Sequence, residues 1–284
     1  MRVVITGAAG LLARALALTQ PEGLETEWLG RGALDVTDPH AVESHPALRG
    51  ATTVIHTAAY TSVDEAEQRS EAAWRLNAAA PAHLAARCVQ EGARLVAVGT
   101  DYVFGAPAFR RPLPPTSPVS PMSVYGASKA AGELAVLSSS AEACVVRTSW
   151  LFSGNTTDHR DFVSTMLRLA EGDPGREIRV VNDQHGSPTY AVDLARALWR
   201  LAQAPQLPAP ILHGVGVGEA TWYEVAREAF AAAGHDPGRV TPCTTEEFPR
   251  PARRPEWSVL DPSPELSMPG WRDGVRRAVA GRLY

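Results

Sequence analysis

The segment from residue 2 to residue 18 leaves the chain little freedom of fold. Arg2-Val3-Val4-Ile5-Thr6 is a short run rich in β-branched residues, the composition of a strand buried on both faces of a parallel sheet. Gly7-Ala8-Ala9-Gly10-Leu11-Leu12-Ala13 follows, and Arg14-Ala15-Leu16-Ala17-Leu18 continues at helical spacing. Strand, glycine turn and helix in this order are the context in which a glycine pattern points to a dinucleotide. Gly7 permits a tight turn, Gly10 lets a pyrophosphate approach the backbone, and Ala13 is small enough for helix to pack on strand. The free N–H groups at the helix start favour an anion. A plain βα turn fits the same residues, but its place at the opening of a domain favours the dinucleotide.

The pattern then alternates. Glu25 to Leu29 reads as a second strand, ending at Gly30-Arg31. No acid stands there for a ribose 2′-hydroxyl, whereas Arg31 can receive a 2′-phosphate, so NADPH is expected, with NADH as the alternative. Asp38 or Thr37 is placed to cap a short helix. Thr53 to His56 is a third strand, with His56 read as a satisfied structural histidine. The small residues of Thr57-Ala58-Ala59-Tyr60-Thr61 then leave room for a cofactor against the backbone. Glu71 to Glu91, containing Asn77, reads as one long amphipathic helix. Leu95 to Val98 is a fourth strand, and Gly99-Thr100-Asp101-Tyr102-Val103-Phe104 leaves its carboxyl end, the edge where ligands bind in a doubly wound sheet. Residues 105–121 form a loop rich in Pro and Arg, long enough to be functional. Ala143 to Thr148 is a further strand.

This alternation predicts an α/β protein with a Rossmann-type, doubly wound parallel sheet. Residues 1–150 would form that domain, completed by a segment near 177–203. Beyond Trp150 the pattern changes to short strands, helices at about 192–201 and 221–233, and Pro-rich loops, so 151–284 reads mainly as a smaller mixed α/β lobe. Pro249-Arg250-Pro251-Ala252-Arg253-Arg254-Pro255 concentrates arginines whose forks suit phosphate oxygens; a solvated basic loop fits them equally.

Within Ser123-Val124-Tyr125-Gly126-Ala127-Ser128-Lys129, Tyr125 and Lys129 are four apart and project from one helix face. A phenol beside an ammonium is a proton-donating device: the cation favours phenolate and is expected to lower the tyrosine pKa from about 10 towards neutrality. Lys129 is the only lysine among the 27 basic residues Lys and Arg. Arg serves wherever a solvated charge suffices, so the single lysine marks a place that needs a compact ammonium. Thr100 lies on the correct sheet edge to meet Tyr125.

A net charge of −4 gives no reason to expect nucleic acid or membrane partners. Three widely spaced cysteines suit neither a disulfide framework nor a zinc site and point to a reducing compartment. No metal site is read. Met1-Arg2 leads straight into the first strand without the look of a signal peptide, and no apolar run approaches bilayer length. The cytoplasm is the expected location.

With these residues assembled, the chain resembles the extended short-chain dehydrogenase/reductase superfamily and, within it, the dTDP-4-dehydrorhamnose reductase family. The glycine loop and Tyr-x-x-x-Lys are shared by many activities. TDYVF at 100–104, VYGASKAAGE at 124–133, RTSW at 147–150, VNDQHGSPT at 181–189, TWYE at 221–224 and ARRPEWSVLD at 252–261 narrow the resemblance. It implies reduction of the 4-keto group of a dTDP-6-deoxyhexose by NADPH, in a monomer or homodimer. Thr100, Tyr125 and Lys129 would be the catalytic set, with Lys129 also holding the nicotinamide ribose. Gly10, Leu11 and Leu12 would line the pyrophosphate, with Gly7 in the same cofactor-binding turn, and Asp35 and Val36 would sit near the adenine. Ala58, Ala59, Tyr60, Thr61 and Val98 would border the cofactor. Asp101 and Trp150 would touch the sugar; Gln184, Trp222 and the Arg253-Arg254 pair would touch the nucleotide half. Departures from the family pattern are Gly99 for Ser, Leu11 for Gln and Asp161 for Asn. Val192 replaces a glutamate that in some members serves a magnesium-bridged dimer, so that dimer is not carried over. Two other readings stay open: a 4-ketoreductase of a related NDP-4-keto-6-deoxyhexose in antibiotic biosynthesis, and a non-catalytic regulatory subunit of a methionine adenosyltransferase, which shares this fold.

Overall fold

The computed structural model describes residues 1–284. Its opening segment forms β1 (Arg2–Thr6) and α1 (Leu11–Leu18), followed by β2 (Glu25–Leu29), α2 (Pro39–Ser44) and β3 (Thr53–His56). Asp38 caps α2, accepting from the His40 and Ala41 N–H groups at 2.9 and 3.3 Å, with Pro39 pre-set for the first helical position. Next come α3 (Val63–Gln68), α4 (Ser70–Trp74), α5 (Ala80–Glu91), β4 (Arg94–Thr100), α6 (Val124–Leu137) and β5 (Ala143–Thr148). The expected single helix 71–91 is divided: a π-helical turn, Arg75–Ala79, joins α4 to α5. The π turn widens the helix locally, a change that the apolar pattern of the sequence does not mark.

The remaining elements are β6 (Leu151–Phe152), α7 (Phe162–Glu171), β7 (Ile178–Val181), β8 (His185–Gly186), β9 (Thr189–Tyr190), α8 (Ala191–Gln203), β10 (Ile211–His213), β11 (Ala220–Thr221), α9 (Trp222–Ala232), β12 (Val240–Cys243) and α10 (Trp271–Val279). The central sheet is all parallel, ordered β10-β5-β4-β3-β1-β2. Of the segment expected to complete it, only α8 does so, as a covering helix; β7 pairs instead with β12, and the sixth strand is β10. Three small two-stranded sheets serve the second lobe.

Strand alternation divides the interior. Val3, Ile5, Ile55, Val96, Cys144 and Val146 pack on one side of the sheet with α1 and α8, whereas Val4, Val54, Leu95 and Val145 pack on the other with α5 and α6. Trp199 of α8 anchors the first side, donating its indole N–H to the Leu16 carbonyl at 3.0 Å. That first core continues without a break into α7, α9 and α10, so the two lobes share one hydrophobic interior. Val192 is fully buried in it. All three cysteines are free and buried. No helix is long and apolar enough to cross a membrane.

Candidate active site

The carboxyl ends of β1, β2 and β3 border a cavity of ≈ 470 Å³. Gly7, Gly10, Arg31, Asp35, Val36, Ala58, Ala59, Tyr60 and Thr61 all line it. Gly7 has φ +80°, and a Cβ there would stand 2.6 Å from the Ala58 nitrogen; only glycine lets the β1 and β3 turns approach so closely. Leu11 and Leu12 are not walls of this cavity. Leu12 turns into the core, and what these residues offer is backbone. The first bond into α1 runs from Arg14 N–H to the Gly10 carbonyl at 3.1 Å, leaving the Leu11, Leu12 and Ala13 N–H groups free for an anion.

Asp35 accepts from the Thr37 hydroxyl at 2.7 Å and its N–H at 3.0 Å, which hold its carboxyl below the usual range, helped by the nearby Arg31 and Arg75 charges. Arg69 and Arg75 line the cavity beside Arg31; neither stands out in the sequence, because an arginine at or within a helix looks like any solvated charge. This charge pattern and the glycine-walled turn fit a dinucleotide with a phosphorylated ribose.

The sequence marks Asn77 only as part of a helix. In the π-helical turn it accepts from Tyr60 N–H at 2.8 Å, donates to the Tyr60 carbonyl at 3.1 Å, and donates to Ser128 Oγ at 3.0 Å. It thereby holds the loop after β3 against α6.

Ser123 caps α6, accepting from Gly126 N–H at 3.1 Å, and the first turns carry Tyr125 and Lys129 inward. Thr100, at the end of β4, is 5% exposed, Tyr125 9% and Lys129 6%. Thr100 lies close enough to the Tyr125 phenol to favour phenolate. Burial nevertheless wins, and the phenol is pushed up to about 12. The expected lowering by Lys129 does not occur: the ammonium is turned away, donating to the Val98 carbonyl at 2.7 Å. Burial in turn pulls Lys129 down to about 8, with Glu133 opposing. Val98 thus enters the site through its carbonyl. Asp101 is pushed up to about 6 by burial and accepts from Ser258 Oγ at 2.6 Å and Thr100 Oγ1 at 3.2 Å. His56 bonds Thr6 Oγ1 through Nδ1 at 2.7 Å, but its Nε2 has no partner.

Trp150 is the one non-glycine residue with positive φ, +46°. Its ring stacks on Trp222 at 3.7 Å and 10°, and Phe162 meets Trp222 edge-on at 4.7 Å. The two half-buried indoles make a shelf rather than a core plug. Gly186 is required beneath it, since a Cβ would strike the Trp150 ring. The other expected nucleotide contacts are engaged elsewhere. Gln184 donates to Thr245 Oγ1 at 2.9 Å. The Arg253-Arg254 pair is split: Arg253 is exposed, whereas Arg254 forks onto Asp64. Asp161 accepts from Ser164 N–H with one oxygen and from Ser153 and Gly154 N–H with the other, so it builds the start of α7.

Known proteins are similar to this chain over most of its length. A dTDP-4-dehydrorhamnose reductase of Mycobacterium tuberculosis is 44% identical, over 98% of this chain and 92% of the relative. A probable dTDP-4,6-dihydroxy-2-methyloxan-3-one 4-ketoreductase of Streptomyces antibioticus is 45% identical, over 92% of this chain and 86% of the relative. The crystal structure of a dTDP-4-dehydrorhamnose reductase from Bacillus anthracis in complex with NADP superimposes with a TM-score of 0.90 at 34% identity, covering 97% of each chain. The family model described as RmlD substrate binding domain matches residues 1–282. With both lobes, the glycine turn and the Thr100–Tyr125–Lys129 set spanned by that match, the chain belongs to the RmlD substrate binding domain family, that of the dTDP-4-dehydrorhamnose reductases.

Proposed function

We propose that the protein reduces the 4-keto group of dTDP-4-dehydro-β-L-rhamnose to dTDP-L-rhamnose with NADPH. The observation that carries this reading is the burial of Thr100, at the end of β4, and of Tyr125 and Lys129, on the first turns of α6, next to Tyr60, which lines a cavity suited to a phosphorylated dinucleotide. When bound, NADPH supplies the hydride. The free N–H groups at the start of α1 would hold its pyrophosphate, Arg31 and Arg75 its 2′-phosphate, and Lys129 its nicotinamide ribose.

Tyr125, protonated at all working pH, gives its proton to the keto oxygen as negative charge grows there, because a nascent alkoxide is a far stronger base than a phenolate. Thr100 donates to the same oxygen and stabilises charge that exists only in the transition state. Trp150 and Trp222 offer a stacking surface to the sugar nucleotide. The three free, buried thiols suit a reducing compartment such as the cytoplasm.

The 45% identity to a 4-ketoreductase acting on a different sugar supports a second reading, the same chemistry on a related dTDP-4-keto-6-deoxyhexose. One experiment separates the two. Protein, NADPH and dTDP-4-dehydro-β-L-rhamnose generated in situ should consume NADPH and give a product with the rhamno configuration at C4 by NMR. The other C4 epimer, or turnover only with a different keto sugar, would select the second reading; no turnover with any keto sugar would overturn both.

A further inference from the structure

Behind Tyr125 and Lys129 lies buried charge that the reaction as described leaves unused. Glu133 follows Lys129 by four residues of α6, as Lys129 follows Tyr125, so all three share one face of the helix. The Glu133 and Arg147 side chains are 6% and 3% exposed, and Glu133 Oε2 accepts from Arg147 Nε and Nη2 at 3.0 and 2.9 Å. Glu133 Oε1 has no hydrogen-bond partner. It lies 2.6 Å from where a Cβ on Gly99 would stand, so the absent side chain at 99 is the room this carboxylate occupies. Glu133, Lys129 and His56 together line a space of ≈ 10 Å³, about that of one water. Two buried cations therefore face a single carboxylate, and a buried cation without an anion is costly.

We propose that Glu133 is a positioning residue: one oxygen pairs with Arg147, the other serves the Lys129 cavity, and together they keep the ammonium charged and aimed at the Val98 carbonyl. Among its neighbours Glu133 is the anion that acts on Lys129. His56, on β3, is neutral because burial holds its pKa near about 3. The Tyr125 phenol is protonated, Asn77 is uncharged, and Arg147 reaches Lys129 only through Glu133. Gly99 then belongs with Glu133 as the space that admits it. The catalytic consequence rests on the reductase reading above; the charge state of Lys129 does not.

The solitary lysine makes the test direct, since protein grown with lysine carrying ¹³C at Cε shows one lysine side-chain resonance. Its titration midpoint in the parent protein should lie near about 8. In Glu133→Gln the midpoint should move to lower pH, and the alkaline limb of kcat/KM should follow it. Glu133→Asp should restore much of both. Arg147→Met keeps the carboxylate and should not lower the midpoint. The double variant Glu133→Gln/Arg147→Met removes the stranded guanidinium, so it should recover thermal stability while keeping the low Lys129 midpoint. An unmoved midpoint in both Gln-containing variants overturns the proposal, as does a kcat/KM limb that stays put while the midpoint falls. A lowered midpoint in a protein that turns over no keto sugar supports the charging of Lys129 by Glu133 and refutes the reductase reading instead.

Discussion

Arg254 grips both oxygens of Asp64, Nη1 to Oδ1 at 2.6 Å and Nη2 to Oδ2 at 2.8 Å. Asp64 also accepts from the Ala252 N–H at 3.1 Å. The segment 252–258 is thereby tied to α3, and its Ser258 reaches Asp101 at 2.6 Å. Tyr102, whose phenol feels the Arg254 charge, meets Tyr125 edge-to-face at 5.5 Å. The arginine expected to touch the nucleotide half thus straps residues 252–258 to α3, next to Tyr102 and Tyr125.

Removing that strap should separate substrate binding from cofactor binding. Arg254→Met is expected to lower stability by about 1–3 kcal/mol in urea unfolding, the scale of hydrogen bonds to a charged group. KM for the nucleotide sugar should rise. NADPH affinity, measured by fluorescence, should hold, because no wall of the cofactor cavity comes from this segment. A parallel loss of NADPH binding would contradict this account.

Tyr125→Phe keeps the ring against Tyr102 and deletes the proton. We expect kcat to fall by about 10²–10⁴-fold with NADPH binding and thermal midpoint retained. The alkaline limb of activity should follow Lys129, which burial pulls down to about 8, and not the phenol, which burial pushes up to about 12. Residual activity of Tyr125→Phe should therefore keep the same alkaline limb. If the limb disappears with the hydroxyl, the phenol is the titrating group.

The bounds of β1, β2, β3 and β5 were legible because each is a compact β-rich run closed by a polar or glycine turn. β10 was not: three residues, Ile211–His213, lie between Pro210 and Gly214 and become a strand only because β5 presents a free edge. The Tyr125–Lys129 pair was legible because a helix sets its spacing locally, but the direction of the ammonium was not. That direction depends on the Val98 carbonyl, 31 positions away in sequence. Asn77–Tyr60, Glu133–Arg147 and Arg254–Asp64 are likewise pairings between distant elements, each partner unremarkable by itself.

Asp101 carries a pH signature. Burial raises its folded pKa to about 6 from an ordinary 3.8, so the folded protein binds more protons than the unfolded chain between those values. Stability from this group therefore falls as pH rises through that window, and the penalty is complete above about 6. Asp101→Asn, able to accept from Ser258, should gain on the parent by on the order of 1–3 kcal/mol between pH 4 and pH 7. Urea midpoints of both proteins at the two pH values decide it, and a difference independent of pH would refute it.

Arg31 and Arg75 flank Asp35 in the cofactor cavity. If they hold a 2′-phosphate, Arg31→Ala and Arg75→Ala should each weaken NADPH by about tenfold or more and leave NADH nearly unchanged. Equal weakening of the two cofactors would show that the arginines hold something both share.

Gly99 should tolerate no side chain while Glu133 is full length. A Cβ there meets Glu133 Oε1 at 2.6 Å and Arg147 Cγ and Val145 Cγ1 at 3.0 Å. The carboxylate would be the flexible member of that set, but its other oxygen is held by two Arg147 hydrogen bonds. Gly99→Ser is therefore expected to destabilise by about 1–3 kcal/mol, the scale of overpacking in a filled interior. Glu133→Asp withdraws the acid by one methylene, so the double variant Gly99→Ser/Glu133→Asp should lose less stability than the two single changes added together. Strict additivity in urea unfolding would mean that residue 99 and the carboxylate do not compete for the same space.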